Sequence, residues 1–473
     1  MKTYPLYLNG QFVATESSTP VINPANGETF ARMSAGTRAQ VKQAIADAHT
    51  AFASWRQLTG KARGEWLNKI ADQVALRRDE IARAITTENG KPLAQSLGEA
   101  NMTIDHLRWF AEEAKRAYGR VVPHWVENKR NLVIKTPIGV VGAIAPWNFP
   151  IVLAIRKVAP ALAAGCAVVL KPARQTPISC SLFAEAVHAA GLPKGVFQLV
   201  QGVASEIGAE FLENPLCRKI SFTGSTEVGQ SLIRGAAQRI KPLSLELGGH
   251  GPCLIFDDVN LDHAIEGVLM AKFRNTGQSC IAANRIYVQR GIYEKFLDAF
   301  TARVQAMKVG DGFEPEVLIG PLIDEAGLAK AAEHVDDAVK RGARILCGGK
   351  RMARPGYFFE PTVLADVAPD ALCSCEETFA PIAPIYAFHT EAEAIAAANH
   401  SDYGLSAYAF TRDLSRTFRL MEQLEAGTIG INDGVPTATQ APFGGTKMSG
   451  WGRELGLEGL DAFLETKHIS IGL

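Results

Sequence analysis

A chain of 473 residues is long enough for two or three domains. Hydrophobic residues make up 47% and charged residues 21%, which excludes the disordered and fibrous classes. Lysine plus arginine and aspartate plus glutamate balance at 49 each, so no electrostatic feature points to nucleic acid or an anionic membrane as partner.

The opening residues, Met1 to Gly10, lack the apolar core of a secretory signal. From 37 to 118 the pattern is mostly helical. Val41, Ile45, Ala48 and Phe52, then Trp66, Ile70 and Val74, recur at helical spacing. Asn89-Gly90-Lys91-Pro92 punctuates this region. The most apolar stretch, 138–164, is broken by Pro146, Asn148, Pro150, Arg156 and Lys157, so it falls short of the roughly 20 residues of a membrane span. A soluble, cytoplasmic protein is expected.

Strands and helices then alternate. Strand-like runs are Val140 to Ala145, Ala167 to Leu170, Val196 to Val200, Lys219 to Phe222 and Leu243 to Glu246. Helical runs lie at Ser179 to Ala190, 204 to 213 and Thr226 to Gln238. This alternation predicts a parallel sheet with helices on its faces. After Gly248-Gly249 it repeats with strands at Cys253 to Phe256, Arg285 to Val288, Arg344 to Leu346, Ile382 to Phe388, Ala407 to Phe410 and Thr428 to Ile431. The segments 119–137 and 461–473 fit neither core and read as extended arms.

The cysteines show no CxxC pair and no zinc-ligand spacing, so no metal site is expected. Cys373 and Cys375, two apart, read as ordinary free thiols. Gly277-Gln278-Ser279-Cys280 places a thiol beside a glycine turn, compatible with a reactive or an inert cysteine. Pro146-Trp147-Asn148-Phe149-Pro150 is a rigid turn holding an amide between aromatics. Phe222 to Gly229 joins a strand to a helix, and Gly224 and Ser225 there would offer N–H groups and a hydroxyl to a phosphate. It is not GxGxxG, and alone it is a weak dinucleotide signal. Glu246-Leu247-Gly248-Gly249 sets a carboxylate at a strand end.

Together these blocks, with Lys171-Pro172-Ala173, Glu376-Glu377-Thr378-Phe379 and Pro442-Phe443-Gly444-Gly445, resemble the aldehyde dehydrogenase superfamily in order and spacing over essentially the whole chain. The resemblance implies an α/β fold. It has a Rossmann-type NAD(P)-binding domain (1–118 and 138–247), an α/β catalytic domain (248–445) and a small oligomerisation arm (119–137 and 446–473). It also implies a homodimer or homotetramer. Cys280 resembles the nucleophile and Glu246 the general base. Asn148, with the Cys280 backbone N–H, resembles the oxyanion site. Lys171 and Glu377 resemble the ribose-binding residues. Trp147, Gly224, Ser225, Leu247 and Phe379 resemble further cofactor contacts, with Phe379 near the nicotinamide.

Some positions depart from the family pattern. His250 and Ala380 replace a usual lysine and glycine, away from the chemistry. Arg174 stands where NAD-preferring relatives often carry glutamate. It removes the repulsion of a 2′-phosphate and adds a charge-assisted donor, so NADP use is favoured over NAD. Ala282 stands where some relatives carry a second cysteine, so no local disulfide switch is expected.

Arg156 and Arg274 near the catalytic blocks suggest a site for an anionic tail. The succinate semialdehyde dehydrogenase branch has the nearest resemblance, through Ile155-Arg156-Lys157, Phe273-Arg274-Asn275 and the ending Ile471-Gly472-Leu473. Thr437 takes the place of that branch's substrate-binding serine. Succinate semialdehyde is the expected substrate. Glutarate semialdehyde, sulfolactaldehyde and aromatic or aliphatic aldehydes are the alternatives. Glu246 argues against a CoA-acylating enzyme. The retained Cys280, Glu246, Asn148 and Lys171 argue against a non-catalytic relative. The lack of histidine around Cys280 argues against a cysteine hydrolase.

Overall fold

The computed structural model describes residues 1–473. Its largest sheet grows from the alternating segment 140–246. Val140–Ile144, Ala167–Lys171, Phe197–Leu199, Cys217–Thr223 and Leu243–Glu246 pair in parallel. Their order across the sheet is third, second, first, fourth, fifth. The order reverses between Val140–Ile144 and Cys217–Thr223, which opens a crevice beyond the carboxyl ends of those strands. Both faces of these strands are covered, which explains why they read as unbroken apolar runs.

The sheet is wider than the alternation predicts. Leu6–Leu8 and Gln11–Val13 extend one edge as an antiparallel hairpin. Gly450–Trp451 closes the other edge against Leu243–Glu246. A second sheet of seven strands holds Arg344–Cys347, Thr362–Ala365, Ile382–Phe388, Ala283–Gln289, Gly251–Ile255, Ser406–Phe410 and Thr428–Ile431 in that order. All its pairings are parallel except the first. Thr362–Ala365 was not expected. It is four residues long, follows Pro361 and has no alternation to betray it. A separate small sheet, of Lys2–Tyr4, Ser18–Asn23 and Glu28–Ser34, was likewise not anticipated.

The arm is a three-stranded antiparallel sheet of Arg120–Val122, Lys129–Pro137 and Leu464–Gly472, paired from Leu464↔Pro137 to Gly472↔Lys129. The expected arm segment 446–473 therefore needs correction. Its first part lies elsewhere: Thr446–Lys447 pairs with Tyr403–Gly404, and Gly450–Trp451 lies beside Glu246. Helix Gly456–Asp461 packs on helix Pro150–Ala164. Backbone hydrogen bonding to Leu245 and Glu246, not sequence proximity to the terminus, places this stretch. No helix is long and apolar enough to cross a membrane.

Candidate active site

The predicted residues converge on the crevice at the sheet's switch point. Asn148 follows Val140–Ile144, Lys171 ends the second strand, Gly224 and Ser225 follow Cys217–Thr223, and Glu246 ends Leu243–Glu246. Each is carried out of the sheet at a carboxyl end, where the backbone must turn.

Cys280 arrives from the second sheet. It sits in a turn between the 3₁₀ turn Arg274–Gly277 and strand Ala283–Gln289. Three consecutive residues before it are left-handed: Asn275 (φ 50°), Thr276 (φ 60°) and Gly277 (φ 74°). A β-branched threonine there is strained, and strain of this kind persists only where surroundings enforce it. They do so through hydrogen bonds. Asn275 N donates to Gln95 Oε1 at 2.8 Å, Thr276 Oγ1 accepts from Gly320 N at 3.0 Å, and Ile323 N donates to Gln278 Oε1 at 2.9 Å. Gly249 packs against the Cys280 carbonyl so closely that a Cβ would clash with it.

Burial pushes the Cys280 thiol up to about 12, and the carboxylates of Glu377 and Glu246 push in the same direction while Arg156 opposes. The resting thiol is therefore protonated and needs a base. Glu246 is 4% exposed. Burial first, and the neighbouring Glu454 second, raise its carboxyl well above the usual range; Lys157, Arg156 and Arg453 pull the other way. Lys157 Nζ bonds Glu454 Oε1 and Thr223 Oγ1, both at 2.6 Å, in full burial. Gly444, at φ 158°, lets the backbone approach Glu246; a Cβ there would stand 2.7 Å from Oε1. Glu246 Oε2 has no hydrogen-bond partner, so it retains a site for a proton.

Asn148 is 3% exposed. One hydrogen of its side-chain amide goes to Gln278 O at 3.3 Å, which leaves the second free. The backbone N–H of Cys280 takes no backbone partner. Two donors are thus present beside the thiol segment.

Arg156, Arg274, Thr437 and Cys280 line one small cavity of about 40 Å³, with Met102, Val152, Leu153, Phe149 and Phe443 as its apolar walls. Arg156 is 7% exposed, has its Cζ 4.7 Å from the Phe443 ring centroid, and has a buried Nε without a partner. Arg274 lies 5.0 Å from the Phe149 ring centroid. Neither arginine has a carboxylate within ion-pairing distance. Met102 and Glu454 carried no signal of this kind in the sequence, because their roles depend on contacts far along the chain.

The residues expected at the cofactor also cluster. Trp147 and Phe379 meet edge to face at 5.4 Å, with Phe379 at a left-handed φ of 50°. Glu377 Oε1 accepts from Gly249 N at 3.0 Å. Burial raises its carboxyl to about 7, against the hydrogen bond from Gly249. Leu247 packs on Gly229, where a Cβ would stand 2.6 Å from its side chain. Ser225 caps helix Thr226–Ala237, accepting from Val228 N, and the other first-turn N–H groups of that helix favour a phosphate. Lys171 is 6% exposed, with Pro172 O as its hydrogen-bond partner at 3.0 Å; burial lowers its ammonium to about 8. A buried cation held only by a carbonyl suits a ribose hydroxyl. Arg174 is exposed and lines a separate cavity of about 310 Å³ with Pro20, Ile22, Gln175, Ile323, Asp324 and Tyr357.

The family model described as "Aldehyde dehydrogenase family" matches residues 12–469. A glutarate-semialdehyde dehydrogenase of Pseudomonas aeruginosa is 48% identical over 98% of this chain and 97% of its own length. An NADP-type succinate-semialdehyde dehydrogenase of Escherichia coli is also 48% identical, over 98% and 97%. The crystal structure of an NADP-dependent Escherichia coli enzyme superposes with a TM-score of 0.98 at 47% identity, covering 100% of this chain and 98% of that one. The chain therefore belongs to the aldehyde dehydrogenase family and is an oxidoreductase that uses a pyridine nucleotide to oxidise an aldehyde.

Proposed function

We propose that the chain oxidises succinate semialdehyde to succinate, with NADP as the better cofactor. The observation that carries the substrate is the small cavity where two arginines without carboxylate partners face the Cys280 segment. A buried guanidinium is costly unless paired, and a substrate carboxylate supplies the pair. The names of the Escherichia coli and Pseudomonas aeruginosa relatives agree with a dicarboxylic semialdehyde.

In this reading the aldehyde lies with its tail on Arg156, Arg274 and Thr437. Glu246 accepts the Cys280 proton and the thiolate adds to the carbonyl carbon. The free hydrogen of the Asn148 amide and the Cys280 N–H hold the developing oxyanion. A bound nicotinamide would supply the hydride acceptor for that carbon. A thioester remains on Cys280; Glu246 releases the thiol proton to solvent and, as the carboxylate again, deprotonates the water that hydrolyses the thioester, with the Cys280 sulfur as leaving group. Lys171, Glu377, Ser225, Gly224, Leu247, Trp147 and Phe379 hold the cofactor. Arg174, an exposed cation where a carboxylate would repel a 2′-phosphate, favours NADP. The exposed arm strands and Trp125 beside them, 90% exposed, support self-association into a dimer or tetramer, and the cytoplasm is the proposed compartment.

Steady-state kinetics with succinate, glutarate and sulfonate-tailed semialdehydes and an uncharged aldehyde, each with NAD and NADP, test the proposal. The expected order of kcat/KM places succinate semialdehyde with NADP first. A neutral aldehyde of equal length turned over as well would refute the anionic-tail reading.

A further inference from the structure

We infer that Lys91 and Glu99 form a buried positioning pair that fixes the Asn148 peptide and thereby aims the Asn148 side-chain amide at the aldehyde oxygen. The inference rests on the reading of Asn148 as oxyanion donor.

Both side chains are 0% exposed, and Lys91 Nζ lies 2.7 Å from Glu99 Oε2. Lys91 is delivered by the turn after helix Arg78–Asn89, whose left-handed cap is Gly90 at φ 88°. Glu99 sits nearly two turns into helix Leu93–Glu113. From there the pair reaches the segment that carries Asn148. Lys91 Nζ donates to Asn148 O at 2.6 Å and lies 3.9 Å from the Phe149 ring centroid. Glu99 Oε1 accepts from Ile151 N at 3.1 Å and Val152 N at 3.3 Å, two of the free N–H groups in the first turn of helix Pro150–Ala164. Asn275 Nδ2, in the strained turn before Cys280, donates to the same Asn148 O at 2.9 Å. The chain from 148 to 152 is thus gripped at a carbonyl, a ring and two amides, and one grip belongs to the nucleophile's own turn.

Stability alone does not call for this arrangement. A buried ion pair is commonly matched or bettered by apolar residues of similar volume. Its distinctive property here is geometric. It ties the Asn148 peptide to a rigid helix through short, charge-assisted bonds. A misplacement of about 1 Å in a reacting constellation costs on the order of 100-fold in rate.

The test uses the full-length enzyme with succinate semialdehyde and NADP. The neutral double variant Lys91→Met/Glu99→Gln removes the contact to Asn148 O without stranding a charge, and the amide at 99 still accepts from Ile151 and Val152. We expect kcat to fall about 10- to 100-fold, with aldehyde KM and NADP affinity held within about threefold. Alkylation of Cys280 by iodoacetamide should proceed at the wild-type rate. In an Asn148→Ala background the same double change should cost less than about threefold, because the amide it aims is gone. Additive losses in that background, an equal loss of Cys280 alkylation, or an unchanged kcat would each overturn the inference. Should the double variant not fold, Lys91→Arg, which keeps the charge but moves the donors, faces the same criteria. An Asn148→Ala enzyme with wild-type kcat would instead sink the oxyanion reading itself, so the two failures are distinct.

Discussion

Replacing Arg156 with methionine removes the guanidinium and leaves a flexible apolar side chain of similar reach. In the folded protein the head of Arg156 is buried, its Nε has no partner, and its Cζ lies over the Phe443 ring. Against a substrate carboxylate it can make two charge-assisted hydrogen bonds. At about 1.5–3 kcal/mol each, their loss amounts to about 3–6 kcal/mol. At about 1.4 kcal/mol per tenfold, that is a drop on the order of 10²- to 10⁴-fold in kcat/KM for succinate semialdehyde. The neutral four-carbon analogue butanal makes no such bond, so its kcat/KM should stay within about threefold or rise. The folded state loses an uncompensated buried charge, so the melting temperature should hold or increase. Initial rates of NADPH formation and a thermal melt give all three numbers. An equal loss for both aldehydes would show that Arg156 serves packing and not recognition. No loss for either would remove it from the site.

Glu377 titrates near 7, so its carboxyl gains a proton as pH falls through that value; NADP affinity should weaken below pH 7, and Glu377→Gln should flatten the dependence, as read by fluorescence titration. With the Cys280 thiol near 12, iodoacetamide should alkylate the free enzyme slowly at pH 8, and NADP should speed the reaction by bringing a pyridinium charge beside the sulfur; rapid alkylation of the free enzyme contradicts this. Lys157→Met strands the buried Glu454 carboxylate and should cost about 3–5 kcal/mol in urea unfolding. The same variant removes a cation that lowers Glu246, so the acidic limb of the kcat profile should move to higher pH.

Much of this was legible in the chain itself. The segment 140–246 is buried on both faces, so its strands read as apolar runs set off by glycine and proline, and the parallel sheet followed. The motif residues were legible because they sit where the backbone turns and local composition changes: Asn148, Lys171, Gly224, Ser225 and Glu246 at carboxyl ends of strands, Cys280 and Glu377 in the turns that precede them. What escaped notice depends on long-range contact. Thr362–Ala365 has no period of its own and is a strand only because Ile382–Phe388 pairs with it. Gly450–Trp451 was assigned to the arm because nothing local tells it from a terminal strand. Lys157 did carry a signal. A lysine inside the wholly buried helix Pro150–Ala164 must have a partner, but Glu454, nearly 300 residues away, was unreadable without the fold. Lys91 read as a turn residue because its charge is spent on a backbone carbonyl and on Glu99, neither of which the sequence brings near it.

The central claim is that Cys280 attacks an aldehyde whose charged tail rests on Arg156 and Arg274. Acid-quenched enzyme, mixed briefly with NADP and succinate semialdehyde and digested for mass spectrometry, tests it directly. The account predicts a succinyl thioester on the peptide carrying Cys280, absent from Cys280→Ser and strongly reduced in Arg156→Met/Arg274→Met. NADPH formed at the wild-type rate by Cys280→Ser, or an adduct on a different cysteine, would contradict it.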